Sequence, residues 1–388
     1  MTEHTALPQT QDDATPQPQQ SGLRVAVLGE IPFAGSRVVR ALVKQGLAVR
    51  VLCPDAEAEQ TVLSAGRAAG VSPASGAAAA EGTAASSGVG PQSADSGCAS
   101  VEVTRGSLDL PPAVLEVLQG ADGACFVSPI TMAGRMYRSS QHLADVQLFL
   151  ETVLTTGVRN VVYHSALGAH PKAASRALRD AAAAEEAVKA AATSSKKADS
   201  SLLFKYYLAR SSTLMGLSDC FLTEILRTAK ASSPFVGVSG YGSTLVQPLH
   251  VDNFAQCLAR FFSDRPEELE TGRYALAGPE TATLLGLLDQ TLARLGRPKL
   301  KLHAPFFVLR LLSAFSPNEA PGTSDKSQSS GRGGIASASA SPGLKERTDL
   351  LLDEFCTDHN DAPRLLGPGE TLCTLEETQK QILAAATC

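Results

Sequence analysis

RVAVLGEIPFAGSRVVRALVKQGLAVRVL, residues 24–52, decides how the rest of the chain is read. Residues 24–28 are a short Val-rich apolar run, the pattern of a buried strand. Gly29 follows. In SRVVRALVKQG, Val38, Val39, Leu42 and Val43 fall on one helical face, and Gly46 sits where a C-terminal glycine closes a helix. AVRVL at 48–52 is the next strand. Strand, glycine-containing turn, helix and strand in about 30 residues open a dinucleotide-binding βαβ unit.

The alternation continues outward. Short apolar strands are predicted at 101–103, 123–127, 159–165 and 201–210, and helices at 112–120, 138–157 and 173–193. Strands alternating with helices give a mostly parallel sheet covered on both faces. Right-handed crossovers then leave a doubly wound α/β fold, Rossmann-like, over 23–210, with a smaller C-terminal lobe over 211–388.

Three stretches fall outside that pattern. Residues 1–22 hold five Gln and three Pro and no Lys or Arg, so they lack the basic start of a targeting signal and read as a solvated tail. Residues 73–99 hold nine Ala, five Gly, five Ser and two Pro. In 317–343 Ile335 is the single large apolar residue. Neither segment can bury enough surface to offset its ordering entropy, so both read as flexible insertions.

Composition removes several functions. The net charge of −5 and the absence of a Lys/Arg block exclude a nucleic-acid footprint. With no Trp and 5% aromatic residues, single-strand stacking has no platform. No apolar run is long enough for a transmembrane segment. Eight scattered Cys without a CxxC argue for reduced thiols rather than a metal or redox motif, and hence for a cytoplasmic setting. The seven His show no metal-ligand spacing, so no metal is expected.

Four segments together resemble one family. Residues 24–52 resemble the first βαβ unit of extended and atypical short-chain dehydrogenase/reductases. GVRNVVYHSALGAH resembles their fifth strand with its serine, and LVQPLHVDNFAQCLARFF their late helix opened by QP-x-H-V-D. GRYALAGPETATLLGLLDQTLARLGRP resembles their Y-x-L-x-G-P-E segment. The set is most similar to the atypical branch of NmrA-like proteins, NAD-dependent epimerase/dehydratase-like chains and the nucleotide-binding accessory subunit of respiratory complex I. The likeness covers 23–72, 100–316 and, more weakly, 346–388.

The resemblance implies a T-G-x-x-G-x-x-G phosphate turn, whose glycines let backbone N–H groups approach a pyrophosphate. Gly29 and Gly35 match its outer glycines, with Phe33 between them, but Pro32 stands at the middle one, without an N–H and with a fixed φ. Glu30 adds a carboxylate where like charge is unfavourable. Pro54 stands where an NADP-selecting Arg is expected, and Ser107 where an adenine-binding Asp is expected. Phe126, Val127 and Ser128 would line the same crevice. The implied cofactor is NADP or NAD, bound weakly or not at all; equally, the two glycines could serve strand–helix packing alone.

The implied catalytic set is a Ser followed by Tyr-x-x-x-Lys on the next helix, the Lys one turn from the Tyr. Ser165 matches the Ser. Ala177 and Ala181 occupy the Tyr and Lys positions, and neither can move a proton. Tyr206 and Arg210 share that spacing but lie in a strand. His164 beside Ser165 lacks a nucleophile elbow, and strand neighbours face opposite ways. Lys172 reads as a solvated loop lysine. His250 is expected to be structural, preceding Asp252 as the cap of the following helix. The expected role is therefore structural, assembly or regulatory. The alternative is an NAD(P)-dependent oxidoreductase or epimerase, since direct hydride transfer to a quinone-type acceptor needs no Tyr/Lys pair.

HAPFFVLRLLSAF, 303–315, reads as an apolar helix starting at Pro305, too short to span a bilayer. With the complex I resemblance it implies a partner: a protein complex or a membrane surface, placing the chain in the cytoplasm or peripherally at an inner membrane.

Deleting residues 73–99 should move the melting temperature by less than about 2 °C, because little apolar surface is removed. Thermal denaturation of the two forms checks this.

Overall fold

In the computed structural model the described residues are 22–71, 99–129, 139–198, 204–217, 226, 234–263, 269–305, 353, 355–367 and 369–385. The tail, both insertions and most of 303–315 lie outside them.

Seven parallel strands form the main sheet: β1 (Arg24–Gly29), β2 (Ala48–Cys53), β3 (Val101–Arg105), β4 (Gly123–Val127), β5 (Asn160–Ala166), β6 (Lys205–Ser211) and β11 (Gly272–Leu276). Their spatial order is β3-β2-β1-β4-β5-β6-β11. The reversal between β1 and β4 is where such folds open their ligand crevice. The registers place Leu28 beside Phe126 and Gly29 beside Val127.

Helices cover both faces because the strands alternate two apolar sets. Val25, Val27, Val49, Val51 and Cys125 pack under α1 (Ser36–Lys44), α2 (Ala56–Ala68) and α6 (Val251–Arg260). Ala26, Leu28, Phe126, Val161 and Tyr163 pack under α3 (Pro111–Leu118), α4 (Ser139–Thr156) and α5 (Arg176–Ala198). The predicted doubly wound fold is thus observed. Gly46 adopts φ of 85° just past α1, the left-handed turn that glycine makes without strain.

The C-terminal part is woven into this sheet rather than set apart at 210/211. Strand β6 runs through Ser211, and β11 returns to pair with β6 as the new edge. Short pairs complete the lobe: β7 (Leu214–Met215) with β10 (Leu249–His250), β8 (Phe235–Ser239) with β13 (Leu300–Ala304), and β9 (Leu245–Val246) antiparallel to β12 (Ala282–Thr283), next to α7 (Leu284–Arg294). His303 and Ala304 thus end a strand just before Pro305, and the helix expected from there on lies outside the described residues.

The segment 353–385, which includes α8 (Ala362–Leu365) and α9 (Leu375–Ala385), is stitched across the lobe. Asp353 carboxylate oxygens accept the N–H groups of Ala174 and Ser175 at 3.3 and 3.0 Å, just before α5. Phe355 bridges to Val246 and is buried. The Gln247 amide donates to Gly278 O at 2.9 Å and accepts from Thr357 N at 3.1 Å. Asn360 holds Ala277, and Asp361 holds Ala275 N–H at 2.9 Å.

The QP-x-H-V-D segment is thus built into the frame. His250 itself caps α6, its Nδ1 accepting Asp252 N–H at 3.2 Å. Asp252, expected as that cap, instead lies in the first turn and pairs with Arg40 at 2.7 Å, joining α6 to α1.

Phe355→Ala should destabilise the protein by about 3–5 kcal/mol, the cost of a large buried aromatic lost from a core. Urea denaturation of the two proteins measures it.

Candidate functional site

The crevice end of β1 is closed by the chain itself. After Gly29, residues Ile31–Gly35 form one wide π-helical turn that runs directly into α1. Gly29 has φ of 105°, and a Cβ there would overlap the Val127 carbonyl. That carbonyl accepts Glu30 N–H at 2.7 Å. A Cβ at Gly35 would overlap the Glu30 carbonyl oxygen, which accepts Gly35 N–H at 3.0 Å. Both glycines are therefore required by internal packing.

The Glu30 side chain folds back over this turn. Its Oε1 accepts Phe33 N–H at 2.8 Å and its Oε2 accepts Ala34 N–H at 2.7 Å. Free N–H groups at a helix start attract anions, and here one carboxylate takes two of them. Burial raises the Glu30 carboxyl above its ordinary value, against the pull of the N–H groups of Phe33, Ala34 and Gly35. Pro32 sits in the first turn, where its missing N–H leaves no orphan donor.

Of the other residues expected at the crevice, Val127 joins this turn through its carbonyl. Phe126 is fully buried, stacked among His142, Phe149 and Tyr163, and lines no opening among the described residues. Ser128 is also buried, its Oγ 3.5 Å from His142 Nε2. His142 Nε2 lies 2.9 Å from Tyr163 Oη. Burial lowers His142 to about 4 and raises the Tyr163 phenol, so both are neutral near pH 7. Ser107 is exposed on the loop after β3, where its carbonyl accepts Leu110 N–H at 3.1 Å.

Ser165 points from β5 toward α5. Its hydroxyl donates to Glu185 Oε1 at 2.7 Å. Glu185 is fully buried and also accepts Arg210 Nε and Nη2, both at 2.7 Å, and Arg273 Nε at 3.1 Å. This fork neutralises the buried charge, and removing one partner of such a pair costs about 3–5 kcal/mol. Four donors, Ser165 among them, thus converge on this one buried carboxylate. His164 faces the other side, its Nε2 2.9 Å from Ser211 Oγ and its ring against Phe254.

Ala177 and Ala181 are buried in an apolar cluster with Met215, Val246, Leu287, Phe355, Leu375 and Ile382. The face of α5 that resemblance assigns to proton transfer thus packs in a cluster to which α7 and the C-terminal segment contribute. Lys172 is exposed. Sequence reading missed the roles of His142, Glu185, Arg210 and Arg273. Glu185 was findable: it lies eight residues beyond Ala177, on the same apolar helix face, where a carboxylate demands a cationic partner.

Comparison with known proteins rests on structure. No family model matches the chain, and no curated protein is similar in sequence. The triphenylmethane reductase of Citrobacter sp., solved with NADP(H), superposes with a TM-score of 0.59 at 15% identity, over 92% of this chain and 99% of that one. The NADPH-dependent quinone oxidoreductase of Escherichia coli, solved with NADPH, gives 0.60 at 14%, over 92% and 99%. The UDP-glucose-4-epimerase of Stenotrophomonas maltophila, solved with NAD, gives 0.55 at 14%, over 73% and 86%. At these identities the likeness is one of fold. This chain has the Rossmann-like fold of NAD(P)-binding reductases and epimerases.

Neutral buried imidazoles make stability depend on pH. Unfolded His titrates near 6.5, whereas folded His142 and His164 titrate near 4 and 3. The folded state therefore keeps this contribution above pH 6.5 and loses it as pH falls toward 4, by about 3 kcal/mol for His142. Urea denaturation at steps from pH 7 to 4.5 should show the decline, and His142→Gln should reduce its slope, leaving the part due to His164.

Proposed function

We propose that this protein is a non-catalytic member of the Rossmann-fold group, serving a structural, assembly or regulatory role. The observation that carries the reading is the Glu30 carboxylate on Phe33 and Ala34 N–H. A dinucleotide pyrophosphate needs those donors free and positive. At this turn they are already used, a negative group stands among them, and Pro32 lacks an N–H. The residues present do not fit a pyrophosphate, so no hydride step is drawn through NAD or NADP. Burial of Ala177 and Ala181 and the commitment of Ser165 to Glu185 support the same reading.

A scaffold acts through its surface. The partner expected through 303–315 finds support where that stretch begins. Strand β13 and its neighbour β8 leave Leu300, Leu302 and Phe235 exposed, with Tyr241 close by. The rest of the stretch, from Phe306 on, is outside the described residues. Among the described residues no helix is long and apolar enough to cross a membrane.

One observation favours a second reading, an NAD(P)-dependent reductase of quinone-type acceptors. The superpositions on two NADP(H)-bound reductases span 92% of the chain. Fluorescence titration with NADPH separates the two readings. Wild type should show no saturable binding up to about 100 μM, a Kd worth little more than 5 kcal/mol. Glu30→Ala combined with Pro32→Gly should tighten binding at least about tenfold by freeing the donors. Sub-micromolar binding by wild type, with quinone turnover, would establish the reductase instead.

A further inference from the structure

A groove runs between α1 and α2, away from the Glu30 carboxylate, with a volume of about 200 Å³. Phe33 and Leu217 border it, and Ala65 and Ala68 of α2 line it. Arg37 and Arg40 of α1 supply its charge, and among the described residues no carboxylate lines it. The two arginines have one acid between them. Asp252 Oδ1 is 2.7 Å from Arg40 but 3.8 Å from Arg37, and it does not line the groove. Among the described residues one carboxylate thus answers two cations, and Arg37, with its side chain 23% exposed, is the more loosely held of the two. Its remaining N–H donors are open to a second anion at the groove.

We propose that this groove binds a small organic anion, a carboxylate or phosphate group carried on an apolar body about the size of one ring. The guanidinium of Arg37 offers parallel N–H donors that fit either oxyanion. Phe33, Leu217, Ala65 and Ala68 cover the apolar body. At 200 Å³ the groove is smaller than a typical ligand pocket, so it takes a fragment-sized molecule and not a dinucleotide. The site does not rest on the proposed scaffold role; it shares Pro32 and Phe33 with the phosphate turn, but its anion donors are arginine side chains and not the N–H groups taken by Glu30.

The test uses the full chain with ¹³C-labelled alanine methyls and three probes: phenyl phosphate, benzoate and inorganic phosphate. Phenyl phosphate and benzoate should shift the Ala65 and Ala68 methyl signals saturably, with Kd on the order of 1 mM. Inorganic phosphate should bind more weakly, since it lacks the apolar body. Arg37→Gln should weaken binding at least about tenfold, and Ala68→Leu should abolish it by filling the groove. Unchanged melting temperatures show that both variants fold, and Arg37→Gln alone decides the matter if Ala68→Leu does not. Absence of saturable shifts in wild type, or undiminished binding by Arg37→Gln, overturns the proposal. Inorganic phosphate binding as tightly as phenyl phosphate overturns the organic class and leaves a bare anion site.

Discussion

The Val127 carbonyl lies against Gly29 where any side chain would stand, and it takes the N–H of Glu30 in the same contact. This close approach joins β1 to β4 at the middle of the sheet and sets the path of the chain into α1. The wide turn from Ile31 to Gly35 follows from it, because the chain must leave the strand at once and pack Gly35 on the Glu30 carbonyl. The turn in turn brings the N–H groups of Phe33 and Ala34 within reach of the Glu30 side chain. A geometry that resembles a phosphate turn has thereby become self-sufficient. Packing alone is enough to require glycine at both positions, whatever else the turn does.

Internal packing also governs α5. A proton-transfer helix needs polar groups facing an open cleft. Here Ala177 and Ala181 face Phe355, Leu375 and Ile382 in one apolar cluster, while farther along the helix Glu185 joins Arg210, Arg273 and Ser165. Apolar closure at one end and ionic closure at the other leave Ser165 buried between strand and helix. Burial of this kind stabilises the frame.

The strands and helices of the first half were legible because local patterns specify them: apolar runs such as 123–127, and glycines at helix ends such as Gly46. Their parallel order followed from alternation. Less legible was anything fixed by contacts distant in sequence. The pairing of β11 with β6, more than 60 residues earlier, was not legible, because no local pattern announces a sheet edge. Glu30 was read by its charge, as repelling phosphate. Its use as a cap depends on a turn whose width the sequence does not state. Asp252 was taken for the cap of α6 from residue preference, but His250 comes first in the chain and its ring already reaches the N–H. The groove beside Arg37 needed two helices to be placed side by side before its charge imbalance existed.

Residues 353–385 carry an implication for how the chain is made. The cluster around Ala177, Ala181, Met215 and Leu287 is incomplete until Phe355, Leu375 and Ile382 arrive, some 170 residues or more after Ala181 in the order of synthesis. During translation at about 5–20 residues per second, the 106 residues from Leu276 at the end of β11 to Ile382 leave the assembled sheet with this apolar surface uncovered for roughly 5–20 seconds. Contacts so far apart in sequence also close slowly once the chain is free. The nascent protein therefore presents an uncovered apolar patch for a defined interval, during which it is open to wrong contacts.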